Sequence, residues 1–144
     1  GLVAAALAAL ALADAPALKA VDKTSGTDGV LIHLSSGPDA PQRVLMALKM
    51  AAIMHQSGRE VLVYCDIDAV KLMTKDAPVL ERGPFRNSDK SIDQLVEAGV
   101  PLRVCPSCLE AAGLTPGELR AGVELADGDE FFSFADGRIL TLDY

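Results

Sequence analysis

Two cysteines lie two residues apart in Cys105-Pro106-Ser107-Cys108, directly after the short apolar run Val100-Pro101-Leu102-Arg103-Val104. That spacing suits redox exchange, sulfur transfer or soft-metal binding, because each sulfur can reach an atom held by the other. Pro106 fits the first position of a helix, where the missing N–H would have had no partner anyway. Cys105 then stands at the N-cap, where unpaired backbone N–H groups and the helix dipole favour an anion and lower a thiol pKa. Cys105 is therefore the candidate nucleophile. Cys108, one turn on and on the same side, is the candidate resolving thiol or second sulfur site. The competing reading is that both are small core residues, since free cysteine is commonly buried.

Other polar residues carry weaker signals. Cys65 closes Val61-Leu62-Val63-Tyr64-Cys65 and could approach the same rim, although a cysteine there more often packs. Asp66 and Asp68 follow it and are expected to cap the next segment. His33 and His55 have no motif partner and read as structural or exposed. Arg82 and Arg86 could attract an anionic sulfur species, but solvated charge is the expectation. Two cysteines supply half of a closed tetrahedral metal site, so a metal would need a second subunit or another ligand. No phosphate-binding glycine loop or hydrolase signature is present, and no cofactor or metal is expected.

These groups need a frame, and the chain is long enough to build one. Its 144 residues, half of them apolar, make one ordinary domain with a real core. The formal charge of −7, without a Lys/Arg block, argues against nucleic acid, whose affinity comes largely from neutralised phosphates. Three cysteines are too few for a disulfide scaffold, and the odd count leaves at least one thiol unpaired within the chain.

Gly29-Val30-Leu31-Ile32-His33-Leu34 reads as a buried strand stopped by Ser35-Ser36-Gly37-Pro38. A helix follows, with Val44, Leu45, Leu48, Ala51 and Ala52 at helical spacing, Pro41 in its first turn and Gly58 past its end. Val61 to Cys65 is a second strand. Asp66 to Asn87, broken by Ala77-Pro78 and Gly83-Pro84, reads as a long loop. Ser88 to Ala98 is a helix, Val100 to Val104 a strand, and Pro106 to Ala112 a short helix. Thr115 to Leu119 is a helical turn, Gly122 to Leu125 a short strand, and Arg138 to Leu142 a last strand; Asp129 to Ala135 is ambiguous. This alternation predicts a single α/β domain with a mainly parallel sheet of about five strands and helices on both faces. In such sheets ligands collect beyond the carboxyl ends of the strands, here Ser35-Ser36, Cys65-Asp66 and Cys105.

The start of the chain is different in kind. Residues 1–13 are almost wholly Ala and Leu and end in an A-x-A-like site before Asp14-Ala15-Pro16, which reads as a signal-peptide-like segment and an exported, periplasmic protein. An oligomerisation or membrane-lying helix is the alternative, and thirteen residues fall short of the roughly twenty that span a bilayer. Residues 14–28 form an arm or linker before the domain of residues 29–144.

Val30-Leu31-Ile32-His33-Leu34 with its following helix, Val61 to Cys65 leading to Asp68-Ala69-Val70, and Val100 to Cys105 together resemble the DsrE/F-like sulfur-relay family. The resemblance covers Gly29 to Leu142. It implies a flavodoxin-like or Rossmann-like fold, homo- or hetero-oligomers often built from trimers, and a cysteine that carries persulfide sulfur between partners. The family's sulfur-carrying cysteine falls on Cys105. Cys108 and the exported-looking start are departures from it. The expected function is a sulfur carrier with protein or small sulfur donors and acceptors. Two readings compete: a thiol–disulfide redox protein using Cys105 and Cys108, and a non-enzymatic oligomeric or soft-metal module.

Overall fold

A computed structural model describes residues 26–144. The Ala/Leu segment 1–13 and the arm as far as residue 25 lie outside the described residues. Five strands and four α-helices follow in the order β1 (Gly29–Leu34), α1 (Pro41–Gln56), β2 (Glu60–Cys65), α2 (Ser88–Glu97), β3 (Leu102–Val104), α3 (Pro106–Ala111), β4 (Val123–Leu125), α4 (Glu130–Ser133) and β5 (Ile139–Asp143). Two 3₁₀ segments, Ile67–Met73 and Pro116–Glu118, complete the frame. The strands form one all-parallel sheet in the order β4-β3-β2-β1-β5.

The register separates the two faces of the sheet. Val30, Ile32 and Leu34 of β1 align with Val61, Val63 and Cys65 of β2, and Leu102 and Val104 of β3 continue the layer. All are buried, and they join Val44, Leu45, Leu48 and Ala51 of α1 and Ile92 and Leu95 of α2 in one core. Helix α1 lies over β1 and β2 and beside α2. Pro41 starts α1 where its missing N–H costs no hydrogen bond, and the Asn87 side chain accepts from the Lys90 N–H to cap α2. On the opposite face, among the described residues, the four-residue α4 is set against the sheet by its Glu130 and Phe131, which meet Arg103 and Tyr64. Helices thus occupy both faces, but very unequally.

Two expectations change. The expected loop from Asp66 to Asn87 begins with the 3₁₀ segment Ile67–Met73, which buries Ala69, Val70, Leu72 and Met73. Apolar residues at i, i+1, i+3 and i+4 suffice to anchor two tight turns on the core, although the run is too short to register as an amphipathic helix. Beyond Thr74 the chain has no helix or strand until Ser88, as Pro78 and Pro84 require. The ambiguous stretch Asp129 to Ala135 resolves as α4, one turn long.

A thiol pair at the end of the third strand

Cys105 follows β3, and its N–H donates to the Cys65 carbonyl at 2.9 Å, so the sheet pairing runs one residue past the strand before the chain turns into α3. Cys105 is the N-cap of α3, and its Sγ accepts from the Cys108 N–H at 3.4 Å. Both thiols are half-buried and unoxidised, whereas Cys65 is completely buried. The structure therefore brings Cys105 and Cys108 together and sends Cys65 into the core.

The three cysteines, at the end of β2, after β3 and in α3, have three different electrostatic settings. Burial alone would push the Cys105 thiol up, but the Tyr64 hydroxyl, the N–H groups of Cys108 and Ser107 and the Cys108 thiol together hold it below the ordinary value. The Ile67 N–H favours charge on Cys108, yet the neighbouring Cys105, partial burial and Asp66 keep that thiol above the ordinary value. Of the two thiols, Cys105 is therefore the one whose ionisation its surroundings favour. Burial pushes the Cys65 thiol up to about 12, with Asp66 adding to the effect, so Cys65 stays protonated and inert.

Beside the pair, the thinly covered face of the sheet carries a row that crosses all five strands: Asp143 (β5), His33 (β1), Tyr64 (β2), Arg103 (β3) and Glu124 (β4). His33 Nδ1 is 2.8 Å from Asp143 and Nε2 is 2.8 Å from Asp66. Desolvation opposes charge on the ring, but the two carboxylates outweigh it and raise its pKa above the ordinary value. The Tyr64 ring stacks on His33 at a centroid distance of 5.6 Å and meets Phe131 edge-on at 4.9 Å. Burial first, and then the Cys105 sulfur, keep the phenol protonated well above its usual range. Arg103 pairs through two nitrogens with Glu130, at 2.7 and 2.9 Å, and approaches Glu124 at 3.4 Å.

Asp66 does not cap the 3₁₀ segment with its side chain, contrary to expectation. Instead one oxygen accepts from Ser35 at 2.5 Å and the other faces His33. Ser35, His33 and Asp143 thereby take on the outline of a hydrolase triad, with Ser35 Oγ 3.2 Å from Nε2. The outline does not support acyl transfer. Asp66 occupies both the serine hydroxyl and Nε2, and the N–H groups of Ser35 and Ser36 are spent on the Tyr144 carbonyl rather than free to hold an oxyanion.

Backbone detail ties the rim together. Ile67 has φ of 47° and is 60% exposed, a β-branched residue in the left-handed region at a cost on the order of 1–3 kcal/mol. That conformation turns its N–H toward Cys108. A Cβ on Gly37 would sit 2.7 Å from the Asp68 Cβ, so glycine there lets the β1 loop close against the 3₁₀ segment. Asp68 itself pairs with Lys71 at 2.7 Å.

Of the weaker sequence candidates, Arg82 and Arg86 are exposed and line a surface hollow with Glu81, Asn87 and Lys90, apart from the thiols. His55 is half-buried near the end of α1. Among the described residues, no three His, Cys, Asp or Glu side chains are grouped to hold a metal ion, and no helix is long and apolar enough to cross a membrane. Tyr64 and Ile67 have no place in the sequence reading. The available signal was parity: Tyr64 precedes Cys65 on a strand and so must face away from it, toward the other side.

Known proteins share this arrangement of elements. Residues 28–137 match the DsrE/DsrF-like family. The uncharacterized protein MK0008 of Methanopyrus kandleri is 30% identical over 101 residues, covering 70% of this chain and 81% of that protein. The crystal structure of the YchN protein of E. coli superposes with a TM-score of 0.63 at 22% identity, covering 81% of this chain and all of that one. MTH1491 of Methanobacterium thermoautotrophicum, a protein of unknown function, superposes with a TM-score of 0.56 at 12% identity over 81% of this chain and 99% of its own. Both superpositions speak to the fold.

Proposed function

The chain belongs to the DsrE/DsrF-like family, a family connected with sulfur relay, and from that premise we propose that it is a sulfur carrier whose working atom is the Cys105 sulfur. The observation that carries this reading is the charge asymmetry of the thiol pair. Cys105 is held toward thiolate and half-exposed, which is what a nucleophile on sulfane sulfur needs. The Cys105 thiolate attacks a terminal sulfur of a polysulfide, forming a Cys105 S–S bond while the donor's S–S bond breaks and a shorter polysulfide dianion leaves. No further oxidant is required. Delivery follows when an acceptor thiolate attacks the outer sulfur and Cys105 departs as thiolate. Alternatively, the Cys108 thiolate attacks Cys105 Sγ and expels hydrosulfide, leaving a Cys105–Cys108 disulfide that a dithiol must reduce.

Mass spectrometry of the full chain after incubation with polysulfide tests the reading. Sulfur adducts are expected on Cys105 and lost in Cys105→Ser; a serine variant that loads equally well overturns it. A redox role using the same two cysteines is the second reading, favoured by their contact through the Cys108 N–H. Insulin reduction coupled to the Cys105–Cys108 pair would support it.

Proteins of this family are generally oligomeric, and a homo-oligomer built from trimers is proposed here. Its support in this chain is the outer strand β5, where Ile139 is 40% and Leu140 56% exposed beside Ile53 at 41%. Light scattering should report the larger species, and a Leu140→Lys variant of unchanged mass would remove this edge from the interface. Export to the periplasm is likewise proposed, on the composition of residues 1–13, and cell fractionation tests it.

A further inference from the structure

Tyr64 and Cys65 are neighbours on β2, yet the phenol stands on the opposite face from the buried thiol and next to Cys105. His33 stacks on one side of Tyr64 with an interplanar angle of 21°, and His33 is itself pinned at both nitrogens by Asp143 and Asp66. Phe131 of α4 meets the Tyr64 ring edge-on, at 78°. The turn carrying Phe131 is tied to the sheet by the neighbouring Glu130, which takes two bonds from Arg103. Tyr64 is aligned with Arg103 across β2 and β3, so by parity it shares a face of the sheet with Cys105, two residues further on, and the anchored ring holds its hydroxyl beside the rim where Cys105 leaves β3.

We propose that Tyr64 is a further residue of the sulfur site: its hydroxyl, on a ring held by two others, donates a hydrogen bond to the Cys105 sulfur, to the thiolate before loading and to the persulfide after it. The persulfide half of this statement rests on the sulfur-carrier reading; the thiolate half does not. A hydrogen bond to an anion is stronger than one between neutral groups, and it is directional, so it both favours the charge and aims the sulfur. The side chain supplies a donor in addition to the N–H groups of Ser107 and Cys108. The ionisable groups around it are His33 and Asp143 along the row, Asp66 at the end of β2, Cys105 and Cys108 on the rim, and Arg103 with its partners Glu130 and Glu124.

The test measures the Cys105 thiolate by its ultraviolet absorbance and its alkylation rate across pH in the full chain carrying Cys108→Ser, where only Cys65, buried and unreactive, competes. Tyr64→Phe removes one oxygen and is expected to move the Cys105 midpoint upward and to slow alkylation at neutral pH about tenfold, the size of one lost hydrogen bond to a charged sulfur. The protein has two tyrosines, so global 3-fluorotyrosine replacement in a Tyr144→Phe background alters Tyr64 alone. The more acidic phenol is a stronger donor and should move the midpoint downward. A folded Tyr64→Phe protein with an unchanged midpoint overturns the proposal. If that variant does not fold, a fluorotyrosine protein with an unchanged or raised midpoint overturns it instead. Neither arm uses a sulfur donor: a protein whose midpoint moves as expected but which never loads polysulfide sulfur loses the carrier reading and keeps Tyr64, and the reverse result does the opposite.

Discussion

The two faces of the sheet show how adjacent residues on one strand acquire unlike chemistry. Ile32 and Cys65 point toward α1 and α2 and are fully buried, while His33 and Tyr64, one residue away, point toward α4 and are half-exposed. Among the described residues, the first face is covered by a sixteen-residue and a ten-residue helix with no charged side chain buried beneath them, and the second by one helical turn. A thin cover leaves room for water at the ends of the Asp143-His33-Tyr64-Arg103-Glu124 row, yet lowers the dielectric enough for its members to pair strongly. That is the setting in which a thiol at a strand end can be held as thiolate, and the thick cover is the setting in which one cannot.

The contrast breaks most visibly at the cysteines. Pulse alkylation at neutral pH is expected to label Cys105 quickly and Cys65 only after unfolding, and Cys105→Ser should abolish the fast phase altogether; prompt labelling of Cys65 in native protein would contradict the assignment of its face. Next in size, Ile32→Ala should lower stability in urea by about 2–5 kcal/mol, because the surrounding core cannot collapse into the space. His33→Asn, its neighbour on the other face, should cost less than that, and equal losses would mean that both faces are packed alike.

A smaller effect is expected from Glu130→Gln, which removes the charge from the two-point Arg103 contact that pins α4. A loss of about 1 kcal/mol that shrinks in high salt fits a partly exposed pair. The smallest is a pH slope. The folded-state pKa of His33 is raised above 6.5 by Asp66 and Asp143, so its contribution is complete below 6.5 and is lost as pH rises through the raised value. Urea midpoints taken from mildly acidic to alkaline pH should therefore decline in the native chain, and His33→Asn should flatten the part of that decline due to His33.

Most of the frame was legible before the structure. The strands around Ile32, Val63 and Val104 are continuous apolar runs, the helices carry clear periodicity and stops, and Pro106 after Cys105 marks the strand-to-helix turn. The buried 3₁₀ segment Ile67–Met73 was not legible, because seven residues are too few to distinguish two anchored turns from a loop. Asp66 was read as a cap because that is the commonest local use of aspartate, and a local rule cannot see Ser35 and His33, some thirty residues away.

The sequence by itself determined the alternation that makes a parallel α/β sheet, the position of Cys105 at a strand end, and the spacing that brings Cys108 back to it within one turn. These are local consequences of side-chain size, backbone φ limits and helical pitch. Only the tertiary structure decided which cysteine is buried, which has its thiol pKa lowered, and that His33, Tyr64 and Phe131 stand together on the face beside it. Those outcomes depend on strand order and register, which place residues 33, 64, 103, 124 and 143 side by side across five strands, and on burial by helices distant in sequence. A thiol's pKa is set by what surrounds it, and in this fold the surroundings come from chain segments that the order of residues does not place next to one another.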